Sequence, residues 1–362
     1  MYKLKRPTNR TLSDYYDAYG PGIQTLMQQL KDGILLIPIT LGSGKTAVKL
    51  TLQVQRNSAT WQFLDRYAQE AHLRRLLCGD WNEQLNIIQE VCHLFPNLTW
   101  QKRITKESYN AGNYQTYGTD AAGHEVVEDF NRILHWLFVE QMYDGGNSGV
   151  RLDKTQFVRE RGMMVCPYCG RQHIDMAEVQ GSVSKPYIDH FLPKSKYPFL
   201  AMTYMNLIPG CNTCNEASNK GTLDPLTYPG LDPLLLNPHV FRNTAVTFCY
   251  KYGFQGENNA KNFSILSIAE NDYLKEGYLT RLKLGEFYSH QQFEVKDLYR
   301  NFTKATNAMK KFLMRLGLKD HFLNNIERRT LGYNLNDDEA PRRIMYKFKK
   351  DLFMQLRREY GI

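Results

Sequence analysis

Four cysteines in two Cys-x-x-Cys pairs constrain this 362-residue chain more than any other feature. Cys166 and Cys169 lie in the stretch CPYCG, and Cys211 and Cys214 in CNTCN. Two residues between cysteines let both thiolates reach one ion, and four thiolates complete a tetrahedral zinc shell. Such a shell is structural, because no coordination position is left for a substrate. Disulfides are the alternative in exported proteins. The N-terminal stretch MYKLKRPTNR is basic, but no apolar run follows it as a secretory signal requires. A reduced, cytoplasmic protein with metal-binding thiols is therefore expected. Residues 170–210 separate the two pairs, a wider gap than in a common zinc ribbon. A substantial insertion must sit between the knuckles.

Cys78, Cys92 and Cys249 lie among apolar neighbours and are expected to fill core space. The longest apolar runs, such as ILLIPI at 34–39, are too short to cross a bilayer. The net charge of +9 is compatible with a polyanionic partner without requiring one. Residues 301–362 hold 14 Lys and Arg against 7 Asp and Glu. Their cations read either as a solvated helix face or as a phosphate-contacting surface.

The stretch GSGKT at 42–46 looks like the end of a phosphate-binding loop. That motif needs a glycine five residues before Gly44, where Ile39 stands. The following AVKLTLQV alternates like a half-buried strand, so a hairpin is expected and an NTPase is not. Residues 60–95 carry apolar positions at helical spacing, and so do 126–143, with Phe130, Ile133, Leu134, Leu137 and Phe138 on one face. Residues 101–124 read as loop or irregular strand. The glycines of DGGNSGV at 144–150 mark a boundary. The division is thus 1–150, 151–240 and 241–362. In the last segment AVTFCYKYGF reads as a strand. One helix carries Leu298, Phe302, Ala305, Met309, Phe312 and Leu316, and the final one Ile344, Phe348, Leu352 and Leu356.

The middle segment carries YIDHFLPKSKYPFLAMTYMNLIPGCNTCNEASNKG at 187–221. An Asp-His pair, an asparagine sixteen residues on at Asn206, then CN and NK in that order resemble the HNH endonucleases. The resemblance covers roughly 160–225. It implies an α+β protein with a ββα-metal core, in which two short strands and a helix surround one divalent cation, Mg²⁺ or Mn²⁺. The paired cysteines would form its structural zinc site. His190 would be the general base, since imidazole titrates near neutrality. Asp189 would give the cation a hard oxygen, and Asn206 would orient the loop holding the base. Asn215 and Asn219, four apart, would share a helical face. Lys220 is five residues after Asn215, which departs from the family's usual shorter spacing, so either asparagine or both could be the last ligand, with Asn219 favoured. Lys194, Lys196 and Lys220 would hold phosphates as point charges. His173 is expected to lie outside the zinc shell, which is already full.

LDPLLLNP and LKEGYLTRL also loosely resemble the long HNH proteins of phage-defence operons, such as those of retrons and Septu systems. That resemblance implies anti-phage DNA cleavage beside an ATPase partner. Two other readings stand next to it: an RNA-cleaving HNH nuclease, and a non-catalytic zinc ribbon that binds nucleic acid.

Overall fold

A computed structural model describes residues 2–96, 103–145, 151–174, 178–179, 182–183, 186–241, 245–255, 260–315 and 319–362. Two compact units share the chain. One comprises 6–153 and 190–208, the other 1–5, 154–189 and 209–362. The residues expected as a boundary, 146–150, lie outside the described ones. No helix among the described residues is long and apolar enough to cross a membrane.

The first unit opens with α1 (Asn9–Lys31), started by Thr8, whose hydroxyl accepts from the Thr11 amide. Tyr15, Tyr16, Ile23, Met27 and Leu30 are its buried face. Strands β1 (Ile37–Leu41) and β2 (Val48–Leu52) pair antiparallel, Ile39 opposite Leu50, as the alternation predicts. Between them GKT forms one turn of 3₁₀ helix. Helices α2 (Ala59–Tyr67), α3 (Glu70–Cys78) and α4 (Trp81–Leu94) follow, the first and third capped by Ser58 and Asp80. The expected loop region contains α5 (Lys106–Asn110) and β3 (Thr116–Thr119). With β4 (Glu125–Val127) the sheet order is β1-β2-β4-β3, and the β2–β4 pair is parallel. The helix expected over 126–143 begins later, as α6 (Phe130–Leu134), because Asp129 caps it through the Arg132 amide. It continues as a π-helix, His135–Tyr143.

In this unit 190–208 is a buried return loop. Phe199 meets Phe63, Phe191 meets the Trp81 ring, and the Tyr15 hydroxyl donates to the Met202 carbonyl at 2.8 Å. The Thr203 hydroxyl donates to the last turn of α3, at the Leu76 carbonyl. Such contacts fix the loop from several sides.

In the second unit α7 (Lys154–Glu160) precedes the first knuckle, then come the minimal hairpin β5 (Glu178–Val179) and β6 (Ser182–Val183), and β7 (Tyr187–His190). β7 forms a two-stranded sheet with β8 (Leu207–Gly210), of which His190, Leu207 and Ile208 are counted with the first unit. After it come α8 (Asn212–Asn215) and α9 (Pro233–Leu236). The expected strand is β9 (Val246–Gln255), in a ten-residue antiparallel hairpin with β10 (Ala260–Ala269). Helices α10 (Asp272–Leu274), α11 (Leu284–Ser289), α12 (Gln292–Arg315), α13 (Lys319–Leu331) and α14 (Tyr346–Glu359) complete it.

Phe248, Tyr288 and Phe348 form one aromatic cluster in the core of this unit, and Phe302 and Phe353 form another contact there. Gln355 of α14 binds both the amide and the carbonyl of Tyr250, satisfying backbone groups of β9. The expected faces of α12 and α14 are buried at Leu298, Phe302, Ala305, Phe348, Leu352 and Leu356, while Ile344 is exposed. The side chains of Met309, Phe312 and Leu316 lie outside the described ones. Three lysines of α14 already have acidic partners: Lys347 with Asp351, Lys349 with Glu294, and Lys350 with Asp337.

Two expectations need correction. Cys92 is exposed, because it falls on the outer face of α4, whose buried side carries Gln84, Ile87 and Val91. The helix after Cys214 does not carry Asn215 and Asn219 on one face, because α8 ends at Asn215 where Glu216 turns extended.

Candidate metal centre and the Asp-His segment

The sequence CPYCG folds as a tight turn because Gly170 takes a left-handed conformation and returns its amide to the Cys166 carbonyl at 2.7 Å. The next amide, of Arg171, points at the Cys169 sulfur at 3.4 Å. A bridge between Val165 and His173 closes the knuckle. The second knuckle leads from β8 into α8, with the Asn215 amide returning to the Cys211 carbonyl.

These turns bring Cys166, Cys169, Cys211 and Cys214 together, all buried, with every sulfur within 4.8 Å of the others. Cys169 and Cys211 sulfurs are 3.9 Å apart. A tetrahedron with Zn–S bonds of about 2.3 Å has edges of about 3.8 Å, so the donors fit zinc in type, number and spacing. Burial pushes the Cys166 thiol up, and hydrogen bonds from the other three pull Cys169 well down. Four thiols packed this closely cannot all ionise unless a cation joins them. His173 stays outside the cluster, exposed, with Nδ1 on the Met164 carbonyl.

Asp189, in the same unit, is 3% exposed and has both oxygens engaged. Tyr168, whose position in CPYCG directs it there, donates to Oδ2 at 2.6 Å. Lys220 donates to Oδ1 at 2.9 Å, its own side chain 4% exposed. Burial, then the Asp189 charge, drives the Tyr168 phenol far above its ordinary range. Tyr168 carries no sequence signal for this role beyond standing between two zinc-type cysteines. Lys220 faces a carboxylate here and is not presented at the surface as a point charge. Asn219 is buried too. Its amide nitrogen donates to the Thr213 carbonyl, while its Oδ1 is buried with no hydrogen-bond partner. Asn215 is half-buried.

The chain crosses into the first unit at His190. There the imidazole is 6% exposed, edge-on to the Tyr143 ring at 4.4 Å, and its Nε2 lies 3.0 Å from the Ala201 carbonyl. A carbonyl can only accept, so Nε2 carries a proton, and in the neutral form of the ring the lone pair is on Nδ1. Asn206 is fully buried. It takes the Leu192 amide at 2.7 Å on Oδ1 and gives its two protons to the Leu192 and Leu200 carbonyls. It thus staples both ends of the loop whose Ala201 carbonyl faces His190. Lys194 lies over the Tyr143 ring at 4.3 Å and reaches Asp144 at 3.3 Å. Lys196 is nearly buried, 5.3 Å from the Tyr197 ring.

With this geometry in place, known proteins give one point of comparison. The chain is similar to the Septu protein PtuB of Bacillus thuringiensis. Identity is 26% over 129 residues, which is 36% of this chain and 47% of the Bacillus protein. The matched part thus spans about half the length of that relative. No family model and no solved structure matches.

Proposed function

We propose that this chain is a nuclease of the HNH kind that hydrolyses phosphodiester bonds in DNA, as part of anti-phage defence. The observation that carries the reading is the His190 imidazole, buried and held in one tautomer by the Ala201 carbonyl on a loop that Asn206 staples. Any buried imidazole must satisfy its ring N–H, and here the carbonyl does so in the tautomer that a general base acting through Nδ1 requires. In the proposed step Nδ1 takes a proton from water as the water oxygen bonds to phosphorus and the P–O bond to the leaving oxygen breaks, and the leaving oxygen takes a proton from solvent to become a hydroxyl. The Ala201 carbonyl stabilises the imidazolium that forms. Similarity to a protein named for the Septu system supports a defence role, and an ATPase partner belongs to the same proposal.

The four cysteines would hold zinc as a clip that shapes the Asp189 segment. Mg²⁺ or Mn²⁺ fits less well. Asn219 Oδ1 suits a hard cation, but Asp189 already has Lys220 and Tyr168 on its two oxygens. No step is therefore routed through a divalent ion. Incubating the purified chain with supercoiled plasmid or total RNA, each with Mg²⁺, Mn²⁺ or EDTA, tests the proposal. Nicked or linear plasmid is expected. RNA cleavage with intact plasmid would move the substrate to RNA, and two intact substrates in every condition would refute the reading.

A further inference from the structure

The first unit contains a cavity of about 880 Å³ that none of the chemistry above uses. Its size lies within the range of small-molecule sites, about 300–1,000 Å³. Aromatic side chains line it: Phe95, Tyr114, Tyr117 and Phe130. Phe95 and Phe130 pack ring to ring at 3.9 Å, and Tyr117 is 42% exposed.

Arg103 lines the same cavity, half-buried. Among the described residues its guanidinium has no hydrogen bond and no ion pair, because each nearby acid is committed elsewhere. Glu140 holds Arg132 and His135. Asp129 spends both oxygens on the Arg132 amide, the Ile104 amide and the Tyr114 hydroxyl. Glu128 takes the Ser58 hydroxyl at 2.7 Å. Glu140 and Asp129 act on this half-buried guanidinium only at a distance, so an anion that bonds it directly would stabilise it further. Its five donors match the oxygens of a phosphate. Thr105 and Ser108 also line the cavity, with their hydroxyls spent on each other and on the cap of α5. An aromatic wall beside an unpaired guanidinium suits the base and the phosphate of a nucleotide.

We infer that this cavity binds a nucleotide, with the phosphate on Arg103 and the base stacked on the aromatic wall of Tyr117 and Phe95. The nucleotide is either free or one unit of a nucleic-acid strand. Base-on-aromatic stacking tolerates all bases, so affinity should depend on the phosphate more than on base identity. This inference does not rest on the nuclease reading. Burial and the neighbouring Arg132 also pull Arg103 below its ordinary range, which an incoming phosphate would reverse.

Calorimetric titration of the full chain with AMP, GMP, CMP and UMP, with the matching nucleosides, and with 5′-phosphorylated and unphosphorylated single-stranded DNA tests it. Binding of the nucleoside monophosphates is expected, about tenfold or more tighter than the nucleosides. Arg103→Gln should remove that advantage, and Arg103→Lys should keep part of it. Tyr117→Leu, at an exposed position that cannot unfold the unit, should weaken binding about fivefold or more. Preference for the phosphorylated strand would make the ligand a strand end, and equal strength for monophosphates a free nucleotide. Monophosphates that do not bind at millimolar concentration, or that bind Arg103→Gln as tightly as the wild type, overturn the inference.

Discussion

At the scale of single residues the account depends on buried polar groups that hold one another. Lys220 and Asp189 are each about 96–97% buried at the side chain and pair at 2.9 Å. Removing one partner of such a pair strands the other, at a cost of about 3–5 kcal/mol. Lys220→Met should therefore lower stability by about that much in urea unfolding, and the double substitution with Asp189→Asn should recover part of it. Asn206→Ala would leave the Leu192 amide and carbonyl unmatched, each at about 1–3 kcal/mol, while the Leu200 carbonyl keeps the Thr203 amide. A loss of several kcal/mol in the same measurement is expected. His135 gives a pH dependence. Burial, then Arg103, lowers it from 6.5 to about 4. The native state then binds this proton less readily than the unfolded chain, so its contribution falls as pH drops from about 6.5 to about 4. His135→Gln should flatten melting temperature against pH in that window.

At the scale of elements, the knuckles and amphipathic helices were legible because spacing alone specifies them. The CxxC pairs and the periodic faces of α12 and α14 needed no tertiary information. What sequence did not reveal depended on partners far along the chain. Tyr168 matters because Asp189 meets its hydroxyl, and Lys220 reads as a surface cation until that same carboxylate is placed beside it. The turn that stops α8 at Asn215, and so separates the two asparagines, has no propensity signal. α1 is hard to read from its Thr8 cap and apolar spacing, because Gly20 and Pro21 interrupt the helical pattern. The cysteine cluster itself supports a firm prediction. Native mass spectrometry should find about one zinc per chain, and Cys166→Ser or Cys214→Ser should give insoluble or protease-sensitive protein. A zinc-free, soluble and folded Cys214→Ser protein would contradict the clip.

At the scale of the whole molecule, the Asp-His dipeptide is where the chain passes from one unit to the other. Asp189 is fixed in the unit that holds the cysteines, His190 in the unit that holds Asn206 and the nucleotide-sized cavity. Similarity to PtuB covers 36% of the chain, so most of the chain has no counterpart in that match. The central claim is that His190 is the base of a phosphodiester hydrolase. It is tested most directly by cleavage rates of wild-type and His190→Ala protein on plasmid, measured beside zinc content and melting temperature. The expected result is cleavage by the wild type and a loss of about 10²-fold or more in the variant, with zinc retained and the protein still folded, at a melting temperature lowered by the lost contacts to Ala201 and Tyr143. A His190→Ala protein that cleaves at the wild-type rate would contradict it.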